Sequence, residues 1–117
     1  MKKTSYRTVN LEDGRPTLAE ALTRLESEIK YSKALKTGII KLIHGYGSSG
    51  KGGRLKNGVR ARLSELKESG AVAFYVKGED FSIFNAETVR LLDECDELRR
   101  ERDLNRGNHG VTFVRLK

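Results

Sequence analysis

The sequence predicts an α/β domain in which strands and helices alternate. Strand-like apolar patterns fall at residues 6–11, 39–43, 71–76 and 111–116, and amphipathic helical patterns lie between them. Such alternation makes a sheet with parallel strand pairs, and helices pack on it through right-handed crossovers. A chain of 117 residues is large enough for one such core and too small for a second, so we expect a single domain over residues 1–117.

The first strand leads into a clear helix start. Residues 6–11 alternate between polar and apolar side chains, and the turn residues 13–16 end the strand. Thr17 and Glu20 then form a Thr-x-x-Glu capping box, in which each side chain satisfies a backbone amide left free at a helix start. The helix that follows has one apolar face, formed by Leu18, Leu22, Leu25 and Ile29.

The second half of the pattern contains the central strand and a long excursion. Residues 39–43 are almost continuously apolar, which is typical of a strand covered on both faces. A second helix with an apolar face runs to Gly70, and the last two strands enclose an excursion at about residues 79–110. We expect a helix near Asn85 with Val89 and Leu92 facing inward, and an exposed helix end and loop over residues 93–106.

Composition and charge limit the function classes. The formal net charge of +7 attracts polyanions, although solubilising lysines alone explain such a value about equally well. The longest apolar runs are strand-sized, and the basic start has no apolar segment behind it, so we expect a cytoplasmic protein without a membrane span. The single cysteine, Cys95, excludes an internal disulfide and a cysteine-only metal site, and we expect it to pack as a small apolar group.

The residues after the central strand carry the strongest functional signal. Five of the 12 glycines fall within residues 44–54, between a strand and a helix, where ligands of α/β sheets bind. Glycine permits close backbone approach, and free amides at a helix start suit phosphate oxygens. Nearby cations would neutralise phosphates. The predicted nucleic-acid-binding residues are Gly45, Tyr46, Gly47, Ser48, Ser49, Gly50, Lys51, Arg54 and Lys56.

Two other interpretations of this loop were weighed. It could be a flexible connection whose glycines only solve a turn, but that leaves the flanking cations unexplained. Residues 45–51 also match most of the nucleotide-binding P-loop, yet Gly52 stands where that motif needs a magnesium-binding hydroxyl. The mismatch argues against nucleotide hydrolysis.

The sequence resembles the small MutS-related (Smr) family. Residues 41–47, Lys-Leu-Ile-His-Gly-Tyr-Gly, followed by Leu55, Val59 and Leu63, are similar to the family's His-Gly-x-Gly motif and its helix. The capped first helix and residues 108–114 are similar to the flanking parts of the same domain. The resemblance covers most of the chain except residues 79–107.

The resemblance implies a fold and a function. The fold is a two-layer sandwich with a four-stranded mixed sheet in β-α-β-α-β-β order, here with the helical excursion before the last strand, similar to the carboxyl-terminal domain of translation initiation factor three. Family members bind DNA or RNA, and several are endonucleases. One departure concerns catalysis. The family's first strand ends in Leu-Asp-x-His-Gly, whereas residues 9–14 here contain no histidine and have Asn10 at the aspartate position, unless Asp13 replaces it.

The candidate catalytic residues are His44, Glu12 and Asp13. His44 could act as a general acid or base, or its ring could hold the glycine loop in shape. Glu12 and Asp13 could activate a water or bind a metal such as magnesium, or they could simply form the turn. No cofactor follows with certainty from these residues. We expect His109 to be structural or solvent-facing.

Two further alternatives remain open at this point. Tyr46 could stack on an unpaired base or pack over the loop. In a different function class, the chain would be a catalytically inactive protein-interaction module that binds a partner through the charged insertion at residues 94–106, which has no obvious core role in the sequence.

Overall fold

The computed structural model describes residues 4–46 and 52–117, and the elements follow the predicted order. The strands are β1 (Tyr6–Asn10), β2 (Ile39–Ile43), β3 (Val72–Lys77) and β4 (Val111–Leu116). The helices are α1 (Leu18–Ala34), α2 (Gly52–Glu68) and α3 (Ala86–Glu94), with short 3-10 turns at Gly78–Asp80 and Asp96–Arg100. Over these ranges, the chain forms no helix with the length and apolar character needed to cross a membrane.

The sheet is mixed, as predicted, and has the strand order β1-β2-β4-β3. β1 and β2 are parallel, and β4 runs antiparallel to both β2 and β3. The parallel pair follows from the crossover through α1, because a helical connection returns the chain in the same direction. β2 is therefore a central strand, and its carboxyl end lies beside that of β1.

The helices α1 and α2 cover one face of the sheet. The predicted capping box opens α1, where Thr17 Oγ1 accepts the Glu20 amide at 3.1 Å and Glu20 Oε1 accepts the Thr17 amide at 2.8 Å. The apolar faces of both helices meet the strands in a first core. Its buried members are Val9, Leu11, Leu25, Ile29, Ile40, Leu42, Val59, Leu63, Val72, Val114 and Leu116.

The excursion covers the opposite face of the sheet, so the expectation that residues 93–106 form an exposed helix end and loop is wrong. Cys95 and Leu98 are 1% and 0% exposed. They belong to a second core made of Ile39, Phe74, Val76, Phe81, Leu91, Leu92, Cys95, Leu98, Val111 and Phe113. Within it, the rings of Phe81 and Phe113 stack with centroids 3.9 Å apart.

One residue of α3 departs from its predicted orientation. Val89 was expected to face inward but is 39% exposed, whereas Leu92 is buried as predicted. The buried side of the segment is Thr88, Leu91, Leu92 and Cys95, which are spaced at i, i+3, i+4 and i+7. Val89 lies off this face, because the polar Thr88 takes the inward position and donates its hydroxyl to the Asp80 carbonyl at 3.1 Å.

Part of the charge in the excursion is buried against the sheet. Lys41, on the second face of β2, places its Nζ 2.8 Å from Glu101 Oε1 and 2.6 Å from Asp103 Oδ2. Burial alone would raise the pKa of Asp103, but hydrogen bonds from Lys41 and Asn108 lower it. The excursion therefore has a core role, contrary to the sequence-based argument for an interaction module.

Truncation of Leu98 tests this role. Leu98→Ala removes a fully buried side chain, so we expect the free energy of unfolding to fall by about 2–5 kcal/mol. Arg99→Ala is the matched control, because Arg99 lies half-exposed in surface ion pairs worth less than about 1 kcal/mol. Urea denaturation measures both, and equal stability of the two variants would contradict the second core.

Candidate functional site

The carboxyl end of β2 leads into the glycine loop and lies next to the end of β1. The Leu11 amide donates to the Ile43 carbonyl at 2.8 Å, which extends the parallel pairing past both strands. Glu12 is thereby set beside Gly45, and its carboxylate fills the space that a side chain at position 45 would need. Gly45 also has a φ of 73°, a conformation that favours glycine.

The start of β4 fixes the backbone of this loop. The amides of His44 and Gly45 both donate to the Gly110 carbonyl, at 3.0 and 3.1 Å. The amide of Gly110 donates to Asn108 Oδ1 at 2.8 Å. The exit from β2 is therefore anchored to the turn that precedes β4.

The His44 ring is fully buried, and both ring nitrogens have partners. Nδ1 lies 2.7 Å from the Gly45 carbonyl oxygen, which can only accept, so the neutral ring carries its proton on Nδ1. Nε2 then accepts the Thr112 hydroxyl at 2.8 Å. The lone pair that a general base would use is thus occupied within the protein. Of the two roles considered for His44, this geometry favours that of holding the loop in shape.

The protonation state agrees with the hydrogen bonds. Burial is the main cause that lowers the pKa of His44, to about 4, and the positive charges of Arg60 and Lys56 act in the same direction. The Gly45 carbonyl and the charge of Glu79 oppose this shift without reversing it. His44 is therefore neutral at neutral pH.

A buried arginine from α2 connects the site to three other segments. Arg60 Nε donates to Thr112 Oγ1 at 3.0 Å, and Nη2 donates to the Val111 carbonyl at 3.1 Å. The guanidinium also makes a bidentate pair with Glu79, at 2.9 and 2.7 Å. One side chain thus links α2, the start of β4 and the turn after β3.

Glu79 collects positive groups around the end of β3. Partial burial would raise the pKa of its carboxyl, but the hydrogen bonds and charge of Arg60, with the charge of Lys56, lower it to about 2. Lys56 Nζ lies 4.0 Å and His109 Nδ1 lies 3.5 Å from Glu79 Oε2. His109 is solvent-facing, as expected, with 59% of its side chain exposed.

The structure brings several of the sequence-predicted residues to this edge. Glu12, Gly45 and Tyr46 lie at it, Lys56 approaches it from α2, and Arg54 is exposed at the start of that helix. Asp13 is exposed in the turn after β1, where its carbonyl accepts Arg24, and Asn10 stays at the last position of β1. Residues 47–51, which include Gly47, Ser48, Ser49, Gly50 and Lys51, lie outside the described residues.

The sequence-based prediction missed four residues of the site: Arg60, Glu79, Gly110 and Thr112. Two signals could have found part of the set. Arg60 follows Lys56 by one helical turn, and Glu79 comes directly after a strand whose carboxyl end lies at the same edge of the sheet.

The described residues do not fit a resident metal ion. Among residues 4–46 and 52–117, no group of three or more histidine, cysteine, aspartate or glutamate side chains is arranged to hold one. Glu79 is fully engaged by cationic side chains, and His44 has no free lone pair.

Acidification tests the neutral, buried state of His44. Its pKa in the folded chain, about 4, lies below the ordinary value of 6.5, so folding releases a proton between these values. The His44 contribution to stability is therefore fully present above pH 6.5 and is lost as the pH falls towards 4, by up to about 1.4 kcal/mol per pH unit. The corresponding loss at Glu79 falls lower, between about pH 4.5 and 2.

Two histidine variants separate this contribution from that of the carboxylates. His44→Asn keeps a donor for the Gly45 carbonyl but cannot titrate, so its stability should change less between pH 6.5 and 4 than that of the wild type. His109→Gln removes the exposed histidine and should leave the wild-type pH dependence unchanged. A His44 ring that titrates at the ordinary histidine value by NMR would contradict its buried role.

Comparison with known proteins identifies the fold. No protein-family model matches the sequence, and no curated protein matches it. Among solved structures, the chain is similar to the Smr domain of MutS2 from Thermus thermophilus, with a TM-score of 0.59 and 23% identity over 95% of this chain and 98% of that chain. The fold that the sequence resemblance implied is confirmed, and the chain has the fold of an Smr domain.

Proposed function

We propose that the protein binds the sugar-phosphate backbone of DNA or RNA at the carboxyl edge of β2. The observation that carries this proposal is the grouping at one edge of a glycine backbone, the cations of the first turns of α2 and an exposed aromatic ring. Backbone amides, cations and aromatic rings are the groups that proteins use to bind nucleic-acid strands without reading their sequence. The Smr fold supports the same function, since the sequence resemblance to that family implied it.

The charge distribution at the edge favours an anion. Glu79, although acidic, is neutralised by the two hydrogen bonds from Arg60, so it adds little repulsion. Lys56 Nζ stays 4.0 Å from this carboxylate and can turn towards a phosphate. Arg54 is exposed, and no carboxylate of the described residues lies within 4.0 Å of it. The net charge of +7 adds long-range attraction for a polyanion.

Removal of these two cations tests the proposed interface. The double variant Arg54→Ala, Lys56→Ala should bind short DNA and RNA more weakly at all sequences, and the salt dependence of its affinity should fall by about one logarithmic unit per lost phosphate contact. Filter binding over a series of salt concentrations measures both quantities.

The matched control removes the same charge elsewhere. Lys33→Ala, Lys36→Ala alters two exposed lysines beyond the end of α1, at the amino end of β2 and thus at the opposite edge of the sheet. Its affinity should remain close to that of the wild type. Equal losses in the two double variants would contradict an interface at the carboxyl edge, and no retention of either nucleic acid at low salt would refute nucleic-acid binding.

We also propose phosphodiester cleavage as a second activity of this edge, favoured by the Glu12 carboxylate beside Gly45. The His44 lone pair is occupied by Thr112, so the exposed Glu12 is the better proton acceptor for an attacking hydroxyl or water. Glu12→Gln should abolish cleavage and retain binding, whereas Asp13→Asn should retain both.

Denaturing gels of labelled RNA and DNA, with and without magnesium, measure this activity. Cleavage by Glu12→Gln at the wild-type rate would contradict the role of Glu12. An inactive wild-type protein would remove the second activity and leave the binding proposal in place.

A protein partner bound through residues 94–106 is the competing proposal. Deletion of this segment cannot test it, because the deletion would also remove Cys95 and Leu98 from the second core. Exposed arginines at positions 100, 102 and 106 are the part of the segment that remains for such a contact.

A further inference from the structure

Tyr46 lies at the carboxyl edge of β2 with most of its side chain in solvent. It is 62% exposed, whereas His44, two residues earlier, is fully buried. Single exposed aromatic side chains are common on protein surfaces. Two features of its surroundings give this one a specific role.

The first feature is a rigid backing for one side of the ring. A Cβ at Gly110 would lie only 3.0 Å from Tyr46 Cδ1 and 3.5 Å from Gly45 Cα, so the ring rests against backbone that a larger residue would push away. Gly110 is itself fixed, because its carbonyl accepts two amides and its own amide donates to Asn108. The ring is therefore supported on one side and open on the other.

The second feature is the position of the ring among the proposed phosphate-binding groups. Tyr46 follows Gly45 directly, and Lys56 is close enough to lower the pKa of His44 from the same edge. A backbone held by these groups brings its bases to within reach of the ring. Base–aromatic stacking tolerates any sequence, because every base has a π-face.

We propose that Tyr46 is a stacking platform for an unpaired base, so that this edge selects single-stranded nucleic acid over duplex. In a duplex the faces of the bases are covered by their neighbours, and only an unpaired base can lie on the ring. This inference rests on the function proposed above. It resolves the alternatives for Tyr46 towards stacking, because a ring that closed over the loop would be far less exposed.

The test compares three labelled probes of equal length: a single strand, the same strand annealed to its complement, and an abasic strand that keeps the phosphates but lacks bases. The wild type should bind the base-bearing single strand about 5- to 100-fold more tightly than the abasic strand. Tyr46→Leu should lose this advantage and bind the abasic and duplex probes as the wild type does, whereas Tyr46→Phe should keep it.

A second tyrosine provides the matched control. Tyr31 is 54% exposed on α1, with the Arg7 guanidinium 5.0 Å from its ring centroid. Tyr31→Leu should leave all three affinities unchanged, and circular dichroism would verify that each variant is folded.

The outcomes distinguish the two proposals. If the abasic and base-bearing strands bind equally well, and Tyr46→Leu changes neither, the stacking role is refuted and backbone binding stands. If no probe binds at low salt, backbone binding fails and the stacking role fails with it. A loss in Tyr46→Leu that is equal for all three probes would also refute selection of unpaired bases.

Discussion

The Arg60 guanidinium is the interaction on which the candidate site depends. It is 9% exposed and joins α2 to the Thr112 hydroxyl, the Val111 carbonyl and the Glu79 carboxylate. Thr112 passes this constraint to His44, since one hydroxyl accepts from Arg60 and donates to the imidazole. Loss of either partner would leave a buried polar group unpaired, a larger penalty than the net worth of the bond. The exit of β2, the entry of β4 and the end of β3 are therefore fixed as one unit.

The second face of the sheet has a comparable polar anchor. Lys41 sits in the middle of β2 and meets Glu101 and Asp103 from the excursion, among apolar side chains such as Phe113. A buried ion pair of this kind adds little net stability compared with apolar packing, but loss of one partner leaves an uncompensated charge. It therefore fixes the position of the excursion on the sheet. The same segment supplies Asn108, so the second face and the edge are connected.

Local patterns predicted most of the fold, and tertiary contacts account for what they missed. The Thr17 capping box and the apolar run of β2 are encoded within a few residues, so they could be recognised directly. The excursion could not, because Leu98 is one apolar residue among charges and its burial depends on a sheet distant in sequence. The site divides in the same way: the glycine loop is a local signal, whereas Arg60, Glu79 and Thr112 are brought together only by the topology of the sheet.

The edge separates groups that hold its shape from groups that can exchange water for a ligand. His44 and Arg60 have their hydrogen-bonding atoms occupied inside the protein, so neither can bind without breaking this network. Tyr46 and Arg54 are exposed and carry no such burden. A ligand that contacts only the exposed set meets backbone already ordered by the buried set, which reduces the conformational entropy lost on binding. A buried histidine next to a glycine loop therefore contributes to binding by being unavailable for chemistry, and the reactive or stacking groups are found among its exposed neighbours.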